Sequence, residues 1–270
     1  MSNSAAHETI MALLKSILTG PLLIGDLPES KSFCRSKLRC PEVVPSINLQ
    51  QKLGHLFEDA LASLIAASDG LDLLEQNLQL RDENLTTLGE LDFLLKDQTR
   101  LGLIHLELAT KFYLAVETTD GVTLPGPDAR DNYHRKLAHL RDHQLQLPTK
   151  FRSCLPPAYS NVPIETQQLV YGCLFDHIDA PATFTPECVI DTCRRGKWLH
   201  QPDCDRYFSS KSEFEIIPKA LWPVPFKFLG NIALEHWSPS KPIDRCLMVR
   251  VDKESTPIFV APDRYPNQTN

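Results

Sequence analysis

Between Leu88 and Val116 the chain reads LGELDFLLKDQTRLGLIHLELATKFYLAV, two apolar runs with charged residues set into them. Side chains alternate across a strand, so Leu91, Phe93 and Leu95 are expected on one face and Glu90, Asp92 and Leu94 on the other. In the second run Ile104, Leu106, Leu108, Thr110, Phe112 and Leu114 line one side, while His105, Glu107, Ala109, Lys111 and Tyr113 line the other. If the strands pair with Asp92 opposite the 107–111 segment, Asp92, Glu107 and Lys111 meet on one surface. Crowded carboxylates repel unless a proton or a cation neutralises them, and a hard divalent metal with oxygen ligands is a common solution. A lysine nearby can hold or deprotonate a water, or stabilise charge developing on a phosphate. That set suits phosphodiester hydrolysis. A second reading of the same residues is a solvated sheet face carrying cross-strand ion pairs.

The elements that must position these residues follow from periodicity. From Asn48 to Ala67, Leu53, Leu56, Phe57, Ala60, Leu61, Leu64 and Ile65 recur at helical spacing and predict a helix burying one stripe, with Glu58 at its flank. Alone, Glu58 reads as a solvated flank. The polar cluster Arg81 to Asn84 predicts a turn between two strands, and a third strand runs from about Leu101 to Val116. After the loop DGVTLPGPDARD a helix is expected from about Asp128 to Leu147, stopped by Pro148. Residues 5–19 predict a further amphipathic helix ended by Gly20-Pro21, followed by a polar connection. The second half holds short strand candidates in QQLVYGCLF, CLMVRVD and PIFVAP and is less regular. The order helix, strand, strand, strand, helix predicts an α/β or α+β core in the first 150 residues.

Composition bounds the function classes. The 270 residues, 42% hydrophobic and 23% charged, describe a chain that folds. A formal charge of −6 gives no global attraction to phosphate backbones, so any nucleic-acid role needs a local basic surface. The N-terminus has Glu8 ahead of its apolar stretch and Lys15 within it, unlike a signal peptide, and no run reaches the roughly 18 apolar residues that span a membrane. Eight cysteines without a signal sequence read as reduced thiols. A cytoplasmic protein with no membrane association is expected.

The ordered set LGHLFEDAL, GELDFLL and HLELATKFYL resembles the core of the PD-(D/E)XK nuclease-like superfamily. More closely, the chain is similar to the bacterial family called domain of unknown function 1853, placed within that superfamily; GPDARDNYHRKLAHLRDHQLQL, RRGKW and PIFVAPDRYP extend the likeness over nearly the whole chain. The resemblance implies an α/β, restriction-endonuclease-like core over residues 48–150, a mixed sheet flanked by helices. Residues 1–47 would be an N-terminal helix and connection, and 151–270 a less regular C-terminal extension packed on the core. It also implies roles: Glu58 as the helix acid near the metal, Asp92 and Glu107 as direct ligands of Mg or Mn, and Lys111 as the lysine. The superfamily's acid-x-Lys pattern would put that lysine at 109, where Ala109 stands. Lys111 lies one strand period further, about 6–7 Å along the chain. The basic role could instead fall to Lys136 on the following helix, where Gln144 is a candidate for positioning substrate or an ordinary surface amide.

Two other clusters carry residue types that could do chemistry. Cys188, Cys193, His200 and Cys204 offer zinc-type ligands, but they lack a C-x-x-C pair and read as ordinary thiols. Arg130, Arg135, Lys136, Arg141, Lys150 and Arg152, interleaved with His134, His139 and His143, suit either phosphate contacts or a solvated mixed-charge helix. The expected function is a metal-dependent nuclease hydrolysing nucleic-acid phosphodiesters. The alternative is a catalytically inactive nuclease-fold protein that binds nucleic acid or a protein partner.

Overall fold

The computed structural model describes residues 3–230 and 232–267. The chain opens with α1 (Asn3–Thr19), β1 (Leu22–Ile24) and β2 (Lys31–Ser32), then α2 (Leu53–Ala66), β3 (Leu71–Arg81), β4 (Thr87–Asp97) and β5 (Leu103–Leu114). A small hairpin, β6 (Val116–Thr118) and β7 (Gly121–Thr123), precedes α3 (Tyr133–Asp142) and the short helices α4 (Leu147–Lys150) and α5 (Pro157–Ser160). There follow β8 (Ile164–His177), β9 (Arg194–His200), α6 (Cys204–Tyr207), β10 (Phe214–Ile216), β11 (Glu235–Trp237), β12 (Leu247–Val251) and β13 (Ile258–Ala261). The protein is a mixed α/β fold with one large mixed sheet flanked by helices. The strand order is β11-β10-β12-β13-β9-β8-β5-β4-β3, with β1 and β2 also on β8.

The β5–β8 ladder organises the sheet. These strands run parallel from Leu103↔Ile164 to Leu114↔Phe175, so the sheet continues unbroken from residues 48–150 into 151–270. A parallel pair is stable when both faces are covered, and β8 is buried along nearly its whole length. On one face, Leu56, Phe57, Ala60, Leu61, Leu64 and Ile65 of α2 pack with Phe93, Leu95, Ile104, Leu106, Leu169 and Tyr171. On the other, Tyr133, Leu137 and Leu140 of α3 pack with Leu23, Tyr113, Val170 and Leu174.

Local chemistry sets the element ends. Asp82 Oδ1 accepts the Asn84 and Thr86 N–H groups at 2.9 and 2.8 Å, closing the β3–β4 turn where the polar cluster predicted one. At the other end of β4 the buried Asp97 takes the Thr99 N–H and hydroxyl and pairs with Lys37, tying the N-terminal connection to the β4–β5 turn. The helix expected from about Asp128 to Leu147 is shorter. Asn132 caps it by accepting from the His134 and Arg135 N–H groups, and the distorted backbone at His143 ends it, so Gln144–Gln146 form a separate turn. Pro148 opens α4 instead of stopping α3, because a helix's first turn needs no N–H from proline. The RRGKW segment forms the parallel strand β9, which periodicity did not reveal.

A close approach fixes the β5–β8 spacing beside Lys111. Gly172 is its register partner, and a Cβ on Gly172 would stand 1.8 Å from the Lys111 carbonyl oxygen. Gly172→Ala therefore forces the two central strands apart. A loss of about 3 kcal/mol or more in chemical denaturation is expected, and an unchanged midpoint would show that the ladder yields there.

Candidate functional site

Asp92 is skipped by both ladders of β4. On the β3 side the pairs pass from Gln76↔Phe93 to Leu78↔Leu91, and on the β5 side they end at Phe93↔Leu106. One further step in that register sets Asp92 opposite Glu107. There a carboxylate replaces the ladder: the Leu108 N–H donates to Asp92 Oδ2 at 2.8 Å. The strand's alternation does not survive this point. Phe93 and Leu95 pack in the α2-side core, whereas Leu91, expected on their face, packs with Leu80, Leu147 and Leu155. Opposite the break, Asn77 of β3 adopts a left-handed backbone with φ of 56°.

Glu107 is 1% exposed, so the picture of a purely solvated charged face fails for this residue. Its Oε1 accepts from Gln144 Nε2 at 2.5 Å, while Oε2 is buried without a hydrogen-bond partner. Gln144, a candidate for positioning substrate, holds Glu107 here, because the turn after α3 brings it down onto β5. Glu58 reaches the group from α2, its Oε2 accepting from Asn77 Nδ2 at 3.2 Å and lying 3.1 Å from His55 Nδ1.

The electrostatics follow from this burial. Desolvation pushes the Glu107 carboxyl up to about 8; Lys111 opposes the shift and Glu58 and Glu90 reinforce it. Asp92 is pushed well above the usual carboxylate range by desolvation and by Glu107, against the Leu108 N–H, with Glu58 and Glu90 adding to the rise. Burial lowers the Lys111 ammonium, Asp131 countering and Lys136 assisting. Lys111 makes no direct ion pair with Asp92 or Glu107 among the described residues. It lines a cavity of about 20 Å³ between β5 and α3 with Lys136, Gln144, Tyr113 and Tyr133, room for roughly one water.

Sequence reasoning did not assign His105, Gln168 or Asn77. His105 is fully buried, held neutral by desolvation with its pKa down at about 3, and its Nε2 lies 3.6 Å from Glu107 Oε2, beyond hydrogen-bonding distance. Gln168, the register partner of Glu107, gives its amide N–H to the Gly25 carbonyl and leaves Oε1 buried and unpaired. His105 stands two residues from Glu107 on the same strand face, a signal present in the alternation; Gln168 and Asn77 required the register and the backbone conformation.

A divalent cation fits this donor set. Glu107 Oε2 is an uncommitted buried carboxylate oxygen beside a second carboxylate, the hard oxygen chemistry that Mg or Mn takes. Among the described residues, no group of three or more His, Cys, Asp or Glu side chains is arranged to hold a metal ion. The cysteine set is scattered: Cys188 and Cys193 pack beside Tyr133, Cys204 lies in another cluster, and His200 Nε2 lies 2.9 Å from the Tyr265 carbonyl. Most basic groups near α3 have internal partners: Arg130 with Asp128, Arg141 with Glu29, Arg135 with the Arg130 carbonyl, Arg152 with the Val162 carbonyl and Lys150 with the Asp142 carbonyl. Lys136 keeps only a 4.0 Å contact to Asp131.

Residues 33–267 match the family described as Domain of unknown function (DUF1853). The chain belongs to the DUF1853 family. No curated protein and no solved structure matches it. The matched span takes in α2, the β4–β5 break and the β5–β8 ladder, so the carboxylate group lies within the DUF1853 region. Among the described residues of this DUF1853 chain, no helix is long and apolar enough to cross a membrane.

A pH dependence follows. Glu107's carboxyl is raised in the fold, so the proton it holds stabilises the native state fully below about pH 4.5, its unfolded value. That contribution declines as pH rises toward about 8. Thermal unfolding of the metal-free protein is expected to show this decline, and Glu107→Gln to flatten it. An unfolding midpoint that does not change from pH 5 to 8 would contradict a protonated Glu107 carboxyl.

Proposed function

We propose that this DUF1853 protein is a PD-(D/E)XK-type phosphodiesterase that hydrolyses nucleic acid with Mg²⁺ or Mn²⁺ held by Asp92 and Glu107. The observation that carries this reading is the buried, unpartnered Glu107 Oε2 at the register step shared with Asp92. The order α2, β3, β4, β5, α3, β8, with an acid on α2 and acids on β4 and β5, supports the superfamily assignment that the sequence resemblance implies. A bound ion would supply an activated water and offset charge on the phosphate. The chain's own groups have separate tasks. The Leu108 N–H orients Asp92, Gln144 orients Glu107, and Glu58 adds negative charge that favours a cation. Lys111, its ammonium acidified by burial, is suited to take or return a proton through a water in the adjoining cavity. Lys136, which lines the same cavity, would hold a neighbouring phosphate. On this reading the protein works in the cytoplasm.

One observation favours a second reading, an inactive nuclease fold that binds nucleic acid or a protein: Ala109 occupies the position of the expected lysine, and Lys111 touches neither carboxylate. Incubation of labelled single- and double-stranded DNA and RNA with Mg²⁺ or Mn²⁺ separates the two. Cleavage by the wild type, lost by about a hundredfold or more in Glu107→Ala and in Asp92→Asn with folding intact, is expected. Folded wild-type protein that retains oligonucleotides but cleaves none would support the binding reading.

A further inference from the structure

The backbone and side-chain hydrogen bonding of Asn77 depart from what its place in β3 requires. It sits inside an eleven-residue strand, yet its φ of 56° is the left-handed conformation that residues with a Cβ adopt only at a free-energy cost. The strand's pairs pass from Gln76↔Phe93 to Leu78↔Leu91, so Asn77 and Asp92 are left out together, facing each other across the gap. A kink there surrenders ladder hydrogen bonds at the carboxylate cluster. Its side chain is committed on one side only. Nδ2 donates to Glu58 Oε2 at 3.2 Å, and Oδ1 is buried with no partner. The carboxylate can only accept, which fixes the amide's orientation: nitrogen to Glu58, oxygen away from it.

An unpaired buried amide oxygen is costly unless something else satisfies it. Glu58, which Nδ2 contacts, and Asp92 across the gap cannot donate to it while ionised, but a cation that neutralises them can be shared with it. Amide carbonyls are ordinary ligands of hard divalent ions.

Resting on the metal-dependent reading above, we infer that Asn77 is part of the cation site, holding Glu58 with its amide nitrogen and offering its amide oxygen as a neutral ligand. The left-handed kink is then the backbone device that brings a β3 side chain to Asp92 and joins α2 to the cluster. Asparagine also tolerates this conformation better than most residues, so the test must separate backbone from side chain.

Asn77→Gly does so, because glycine accepts the positive φ and removes only the amide. Mn²⁺ titration calorimetry on the full chain, with denaturation followed in parallel, is the measurement. The Gly variant is expected to keep or raise the unfolding midpoint measured without metal and to bind Mn²⁺ at least about tenfold more weakly. Asn77→Asp, which keeps an oxygen at the position, is expected to bind within a few-fold of wild type and to be less stable than wild type in EDTA, through added charge repulsion. Equal Mn²⁺ affinity in wild type and Asn77→Gly overturns the inference while leaving the metal site standing. Loss of binding in Asn77→Asp as large as in Asn77→Gly overturns the ligand role of the oxygen. A folded wild type that binds no Mn²⁺ overturns the metal reading itself, and the ligand role with it. Should the Gly variant fail to fold, the Asp variant decides the oxygen's part alone.

Discussion

A buried carboxyl, Glu107, and a half-buried one, Asp92, share a register step where β4 leaves β5, and the lapse of the ladder there goes with them. A buried charge without compensation costs several kcal/mol, so such groups protonate or collect partners. Both happen here. Desolvation raises both, Glu107 adds to the rise of Asp92, and each receives a single directed hydrogen bond, Glu107 from Gln144 and Asp92 from the Leu108 N–H. An apolar pair at these positions would pack with no such provisions. The provisions are tolerable because the β5–β8 ladder is covered on both faces, by α2 and by α3, so the surrounding core supplies stability that the site removes.

Lys111 shows how far a small displacement along a strand carries. One period beyond Ala109 keeps the ammonium on the Glu107 face but moves it into the cavity beneath α3. It is there a desolvated lysine that senses Asp131, Lys136 and both carboxylates without pairing to any. Its influence on Glu107 is through the field: it is the cause that opposes the rise of that carboxyl. Gly172 lets β8 close against the Lys111 backbone, so the lysine has a fixed root and a long stem.

Much of this was legible in the amino-acid sequence. The apolar stripe of α2, the turn at Arg81–Asn84 and the alternation along β5 correctly place the helix, the hairpin and the side of the sheet to which Glu107 belongs. Alternation fails at Asp92, where Leu91 and Phe93 part into different clusters, because period-two reasoning assumes an unbroken ladder. The α3 boundaries were overextended since a charged, His-rich segment carries little apolar period, and the true start is set by one capping amide, Asn132. Gln144 is a candidate from the sequence, but its bond to Glu107 depends on a turn after α3, and Gln168 depends on the register of a strand some sixty residues further along the chain.

The break at Asp92 also explains how an acid on α2 can act on acids that belong to the other side of the sheet. Glu107 alternates with Leu106 and Leu108, which face α2, and its own contact is to Gln144 on the α3 side. Glu58 nevertheless raises both Glu107 and Asp92. In a continuous sheet the backbone ladder would stand between them. Here the ladder is missing at that step, and Asp92, released from pairing on both edges, is shared between the two layers. The step where the ladder lapses is thus also where charges from α2, β4 and β5 act on one another, so loss of regular structure and gain of a chemical site coincide.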